Sequence, residues 1–141
     1  MTTARMIFAL LAPSSLATLA APVALANPRA PATAPDPVRG GKLFLQCRAC
    51  HTATAGGANT VGPSLAGVVG ARAATRPGYS YSQALTKSGI VWTVPALDGF
   101  LTHPSRAVPG TKMIFAGMAE AKARADVIAY LQTRNAGKGS Q

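Results

Sequence analysis

The sequence C-R-A-C-H at residues 47–51 restricts the fold and chemistry of this chain more than any other feature. On a helical turn, positions i, i+3 and i+4 share one face, so Cys47, Cys50 and His51 would project to the same side. The two thiols could then form thioether bonds with the two vinyl groups of a haem, and the imidazole would lie over its iron. Because this spacing is typical of c-type haem attachment, we predict one covalent haem c with His51 as an iron ligand.

Two cysteines separated by two residues have other uses. They occur in redox-active dithiols, in zinc sites and in disulfides. A zinc site needs more soft ligands, whereas this chain has only two Cys and two His, the second histidine being His103. A redox dithiol does not require a histidine directly after its second cysteine. The pattern therefore favours haem attachment over these alternatives.

The first 26 residues have the composition of an export signal. Arg5 precedes an uncharged, Ala- and Leu-rich stretch that ends in the small-x-small sequence A-L-A at residues 24–26. We predict a signal peptide over residues 1–26, with cleavage before Asn27 and delivery to the periplasm. The alternative is a retained membrane anchor, since the uncharged run is long enough to span a bilayer. Prolines interrupt that run and alanine contributes little hydrophobicity, so we expect no stable membrane insertion after cleavage.

The remaining sequence is sufficient for one small domain. Residues 27–37 are rich in proline and are predicted to form a flexible tether. The domain is predicted over residues 38–133, followed by a flexible tail at 134–141. A domain of this size has a marginal hydrophobic core, to which a buried haem would add apolar contact area.

The charge balance indicates the type of partner. The chain has 14 Lys and Arg against 4 Asp and Glu. Loss of Arg5 with the signal leaves 13 basic and 4 acidic residues, a formal charge of +9. This favours partner proteins with acidic docking surfaces. Nucleic acid is not expected, because the chain is predicted to be exported and has no nucleic-acid-binding motif.

Apolar periodicity and helix-end signals predict an all-α domain. The three main helices are expected at Val38–Ala49, Thr93–His103 and Met118–Thr133, with a shorter helical turn at Ser82–Thr86. The segment 56–78 is rich in Gly and is predicted to be a loop. No segment has the alternation of a convincing strand.

Several motifs, taken together, make the domain resemble class I cytochrome c, in particular its mitochondrial-like bacterial branch. The resemblance runs from about Gly40 to Leu131 and rests on C-R-A-C-H at 47–51, G-P-S-L at 62–65, P-G-Y-S-Y-S at 77–82, G-I-V-W at 89–92, P-G-T-K-M-I-F-A-G at 109–117 and D-V-I-A-Y-L at 126–131. It implies a small cytochrome c fold, in which three main helices and loops surround one covalent haem.

The resemblance also implies roles around the iron. Met113 would donate its thioether sulfur opposite His51, and Thr111 would flank it in the same loop. Pro63 matches the proline whose carbonyl accepts a hydrogen bond from the ligating imidazole, which orients the ring. Lys112 would be exposed on the docking face.

Aromatic residues complete the implied site. Tyr81 and Trp92 match residues that hydrogen-bond a haem propionate, and Phe115 matches the aromatic residue beside the haem edge. Phe44 and Tyr130 match the contact between the first and last helices.

The sequence departs from the family pattern at several positions. Two residues rather than three separate Phe44 from Cys47, so the register of the first helix is expected to differ. Ala71 stands where the family often has an arginine near a propionate, with Arg72 adjacent. Leu85 replaces an asparagine and Phe100 a tyrosine, which removes polar groups from the haem pocket.

Ligation by His51 and Met113 would leave the iron no open position, which favours outer-sphere transfer of one electron. Four scattered acidic residues offer no catalytic pair. We therefore expect a monomeric periplasmic electron carrier rather than an enzyme. Two alternatives remain open, a haem-bearing subunit of a larger oxidoreductase complex and a haem enzyme or gas sensor in which Met113 is displaced.

Overall fold

The computed structural model describes residues 34–135 as a helical domain. Its α-helices are α1 (Pro37–Leu43), α2 (Gln83–Lys87), α3 (Val94–Thr102), α4 (Pro104–Ala107) and α5 (Ala121–Thr133). Within these residues the only β-type pairing is an isolated antiparallel bridge between Arg72 and Val91. The predicted signal peptide, most of the predicted tether and the end of the predicted tail lie outside the described residues. None of the described helices has the length and apolarity needed to cross a membrane.

The first helix is shorter than predicted. It begins at Pro37, with the Asp36 carboxylate accepting from the N–H groups of Val38 and Arg39, and it ends at Leu43 instead of Ala49. A 3-10 turn, Phe44–Gln46, follows. The N–H groups of both Cys47 and Arg48 donate to the Phe44 carbonyl, so the chain tightens where the family pattern has one more residue.

The predicted bounds of the later helices agree with the structure to different degrees. Helix α3 lies within the predicted range Thr93–His103, and the Thr93 side chain caps its first turn. Pro104 ends α3 but also begins α4, which was not predicted. The predicted start of α5 at Met118 was wrong by three residues, because the Met118 N–H donates to the Leu101 carbonyl and keeps this segment out of the helix.

The core lies where α5 packs against α1 and α3. Gly40 of α1 is buried, and a Cβ there would overlap the Asp126 carbonyl oxygen of α5. The rings of Phe44 and Tyr130 lie next to this crossing, with centroids 5.1 Å apart, as the resemblance implied. Trp92 and Phe100 extend the core with an edge-to-face contact of 4.9 Å.

A buried carboxylate joins the start of the domain to α5. The Asp126 side chain is fully buried; it accepts from the Asp36 N–H at 2.7 Å, from Lys122 Nζ at 2.5 Å and from Arg39 Nε. Burial acts to raise the pKa of this carboxyl, but the three donors outweigh burial and lower the pKa to about 2. The folded state therefore favours ionised Asp126.

We predict that this carboxylate makes the domain sensitive to acid. Because the pKa of Asp126 is lower in the folded state, its stabilising effect is present above about pH 4 and is lost as the pH falls toward 2. Asp126→Asn should lower the free energy of unfolding at pH 7 by about 1–2 kcal/mol, allowing for screening at the exposed partners. The variant should also lose less stability than the wild type as the pH falls from about 4 toward 2. Urea midpoints between pH 2 and 7 measure both effects.

Glu120→Gln is the matched control. Glu120 also faces Arg39, at 3.9 Å, but its side chain is 68% exposed, so its removal should change stability by less than about 0.5 kcal/mol. An acid limb as steep in Asp126→Asn as in the wild type would contradict the assignment.

Candidate haem site

The haem-attachment motif forms the tight turn that its spacing predicted. The His51 N–H donates to the Cys47 carbonyl at 2.9 Å, and the Cys50 N–H donates to the same oxygen at 3.0 Å. Both thiols are free and partly buried. Burial, with a smaller effect of Cys50, raises the pKa of Cys47 to about 11. Such a thiol stays protonated at neutral pH, which does not suit a reactive dithiol.

A carbonyl group fixes the orientation of the His51 ring. His51 Nδ1 lies 2.7 Å from the Pro63 carbonyl oxygen, and because a carbonyl can only accept, Nδ1 carries the hydrogen. Nε2 therefore has a free lone pair, as an iron ligand requires. Gly62 makes this approach possible, since a Cβ at this position would overlap the imidazole. The hydrogen bond implied for Pro63 is thus present.

Met113 lies on a loop that backbone and side-chain hydrogen bonds hold in place. The Thr111 N–H donates to the Val108 carbonyl at 3.0 Å, and Thr111 Oγ1 accepts from the Met113 N–H at 3.3 Å. Gly110 turns the chain before them with a φ of +88°. Met113 is partly buried and packs against the core, whereas Ile114 beside it is fully exposed.

Two aromatic side chains offer polar hydrogens to the site. The Tyr81 hydroxyl accepts from the Arg76 N–H at 3.3 Å, and its own hydrogen has no acceptor among the described residues. Burial raises the pKa of Tyr81, although Arg76 partly opposes this, so the phenol remains a donor at neutral pH. Trp92 is buried, and its indole N–H likewise has no acceptor within residues 34–135.

The apolar surroundings suit a large, flat, hydrophobic cofactor. Partly buried side chains surround the core, and they include Leu43, Leu65, Val68, Val69, Ala84, Leu85, Ile90, Met113 and Phe115. Leu85 and Phe100 are both apolar members of this environment, in agreement with the less polar pocket expected from the sequence. The two thiols, the oriented imidazole, the thioether and the free donors of Tyr81 and Trp92 together fit a haem c. Within the described part, no three His, Cys, Asp or Glu side chains group together as a metal site would require.

Two arginines near the site escaped sequence reasoning. Arg124 is buried in α5, where it pairs with Asp98 at 2.7 Å and donates to the carbonyls of Met118 and Ala119, thereby fixing the segment that follows the Met113 loop. Arg76 donates to main-chain carbonyls beneath the site. No local pattern distinguishes either residue from a surface cation. Arg72, which is adjacent to Ala71 in the sequence, is exposed.

Lys112, which was expected on the docking face, lies on the surface together with three other basic residues. Arg48, Lys87, Arg106 and Lys112 are exposed, and Lys112 Nζ donates to the Ser80 carbonyl at 3.2 Å. Lys112 therefore presents its charge directly beside the Met113 loop.

Comparison with known proteins shows which family and which relatives the chain resembles. The family described as Cytochrome c matches residues 37–135. The chain is 52% identical over 99 residues to cytochrome c2 of Rhodopila globiformis, covering 70% of this chain and 92% of the relative. It is 48% identical over 100 residues to cytochrome c of Euglena viridis, covering 70% and 96%. The solved structure of cytochrome cH from Methylobacterium extorquens is similar with a TM-score of 0.66 at 46% identity, covering 70% of this chain and 98% of that one.

Proposed function

The chain belongs to the cytochrome c family, which makes it an electron carrier with covalent haem c, and from this premise we propose that it is a periplasmic protein whose iron is held by His51 and Met113. The observation that carries the proposal is the orientation of His51 by the Pro63 carbonyl, which leaves Nε2 free to bind. Export to the periplasm is supported by the signal-like sequence of residues 1–26.

Each residue of the proposed site has a separate task. Cys47 and Cys50 attach the cofactor, and Pro63 holds the His51 ring in one tautomer. Thr111 accepts from the Met113 N–H, and the Met113 sulfur would be the second ligand. When bound, haem c supplies an iron that alternates between Fe(II) and Fe(III). With His51 and Met113 both bound, the iron would have no open position for a substrate, which favours outer-sphere transfer of single electrons.

The surface supports a partner of opposite charge. Lys112 and Arg48 are exposed near the residues that hold the haem, and the chain carries a large excess of basic residues. Acidic redox proteins would be attracted over a distance set by the ionic strength. We propose that such proteins are the electron donor and acceptor.

Oxidation of the reduced holoprotein by two inorganic complexes of opposite charge tests this proposal. With hexacyanoferrate(III), an anion, the second-order rate should fall about tenfold or more between 0.01 and 1 M salt, because attraction is screened. With tris(phenanthroline)cobalt(III), a cation, the rate should rise over the same range. Lys112→Gln should weaken both trends more than Arg134→Gln, which removes an exposed cation at the end of α5.

Carbon monoxide provides the companion measurement. A closed iron should leave the spectrum of the reduced protein unchanged under the gas. Rates that do not change with salt concentration would contradict the charged docking surface. A rapid spectral change with carbon monoxide would instead favour a gas sensor or haem enzyme.

A further inference from the structure

Arg76 is a cation without a protein anion. It is partly buried; its Nε donates to the Ser64 carbonyl at 3.2 Å and its terminal nitrogen donates to the Ala66 carbonyl. Both partners are neutral. The acidic residues of the chain are all engaged elsewhere, Asp36 at the start of α1, Asp98 with Arg124, and Glu120 and Asp126 with Arg39.

The groups next to Arg76 are hydrogen-bond donors. Its own N–H donates to the Tyr81 hydroxyl, which leaves the phenolic hydrogen available. The Ala71 carbonyl accepts from the Trp92 N–H at 2.8 Å, so Trp92 adjoins the same loop with its indole N–H unpartnered among the described residues. Main-chain hydrogen bonds of the 71–76 segment thus connect it to two residues with free neutral donors, and a guanidinium and such donors are the groups that bind a carboxylate.

The position of Arg76 relative to Ala71 explains the missing arginine. Ala71 and Arg76 line one depression, together with Ser64, Gly67, Val68, Thr75 and Pro77. Arg72, although adjacent in sequence to Ala71, is exposed and its backbone pairs with Val91. Because the side chain of Ala71 is small, it leaves this depression accessible to the longer side chain of Arg76. A positive charge is therefore available from position 76 where position 71 carries none.

We propose that Arg76 is the residue that compensates the charge of a haem propionate beside Tyr81 and Trp92. The main-chain carbonyls of Ser64 and Ala66 hold the guanidinium in place, so its position does not depend on the propionate alone. A positive charge held near the haem stabilises the reduced state, which carries one more negative charge. The inference rests on the covalent haem of the family and not on ligation by Met113.

The reduction potential of holoprotein variants tests this role. Arg76→Gln should shift the redox equilibrium about three- to tenfold toward the oxidised state, which is about 30–60 mV at 59 mV per tenfold change for one electron. Arg72→Gln removes the same charge from the nearby surface, and its shift should be less than about twofold because exposed charges are screened. Arg76→Lys should restore at least half of the lost potential.

Thermal melting and the near-infrared band of the oxidised protein separate charge compensation from bracing of the loop. If Arg76 only supports the two carbonyls, Arg76→Lys will melt as early as Arg76→Gln, and the potential of Arg76→Gln will match that of Arg72→Gln. That result would overturn the inference. A potential shift accompanied by loss of the sulfur-to-iron band would also overturn it, because the change would then arise at Met113.

Discussion

Replacing Met113 with alanine should lower the reduction potential of the holoprotein by more than about 100 mV, within the range of about 0.8 V over which axial ligands set haem potentials. A thioether stabilises Fe(II) more than water or nitrogen ligands do, so its loss favours Fe(III). Met113 is held toward the core by the Thr111 hydrogen bonds. The oxidised variant should lose its weak near-infrared sulfur-to-iron band and should bind added imidazole.

Met118→Ala is the matched control, because Met118 is the other methionine of the domain and is 8% exposed in the core. Its removal should cost about 2–5 kcal/mol of stability while leaving the near-infrared band in place. A wild-type protein that already lacked this band, with a spectrum unchanged in Met113→Ala, would mean that a residue other than Met113 ligates the iron. His103, whose Nδ1 lies 3.3 Å from the Ser105 hydroxyl at the junction of α3 and α4, would be the residue to replace next.

Sequence reasoning succeeded where the determining contacts are local. The spacing of Cys47, Cys50 and His51 predicts a one-turn geometry because three to five consecutive residues define it. Apolar periodicity and helix-end signals placed α3 to within one residue at each end. The role of Pro63 came from the family resemblance, because no periodicity in the sequence connects Pro63 with His51.

Failures occurred where a distant group decides the local structure. Met118 and Ala119 have adequate helix propensity, yet the Met118 N–H pairs with Leu101 and both carbonyls accept from Arg124. The start of α5 therefore depends on tertiary hydrogen bonds. Arg76 illustrates the same limit at the site, since the sequence shows only that Arg72 is adjacent to Ala71, whereas the fold brings Arg76 to the depression that Ala71 lines.

Gly40→Ala should lower the free energy of unfolding by about 3 kcal/mol or more, a large share of the 5–15 kcal/mol typical of a domain. A Cβ at position 40 would overlap the Asp126 carbonyl oxygen and approach the Tyr130 Cβ to 2.9 Å. The methyl group must therefore separate α1 from α5, which weakens the Phe44–Tyr130 contact at the same time. Guanidinium chloride unfolding of the holoprotein, followed by circular dichroism, measures the loss.

The intrinsic preference of helices for alanine acts in the opposite direction and provides the control. It favours alanine over glycine by about 1 kcal/mol, which is too little to offset the overlap at Gly40. At Gly99 in α3 an added Cβ meets no atom within 4 Å, so Gly99→Ala should raise stability by about 0.5–1 kcal/mol. At Gly41 the nearest atom is a Tyr130 ring carbon at 3.2 Å, which can move, and the change should stay within about 1 kcal/mol. If Gly40→Ala proved as stable as Gly99→Ala, α1 and α5 would have to be farther apart than the structure places them, and the Asp126 hydrogen bonds that join them would need reassignment.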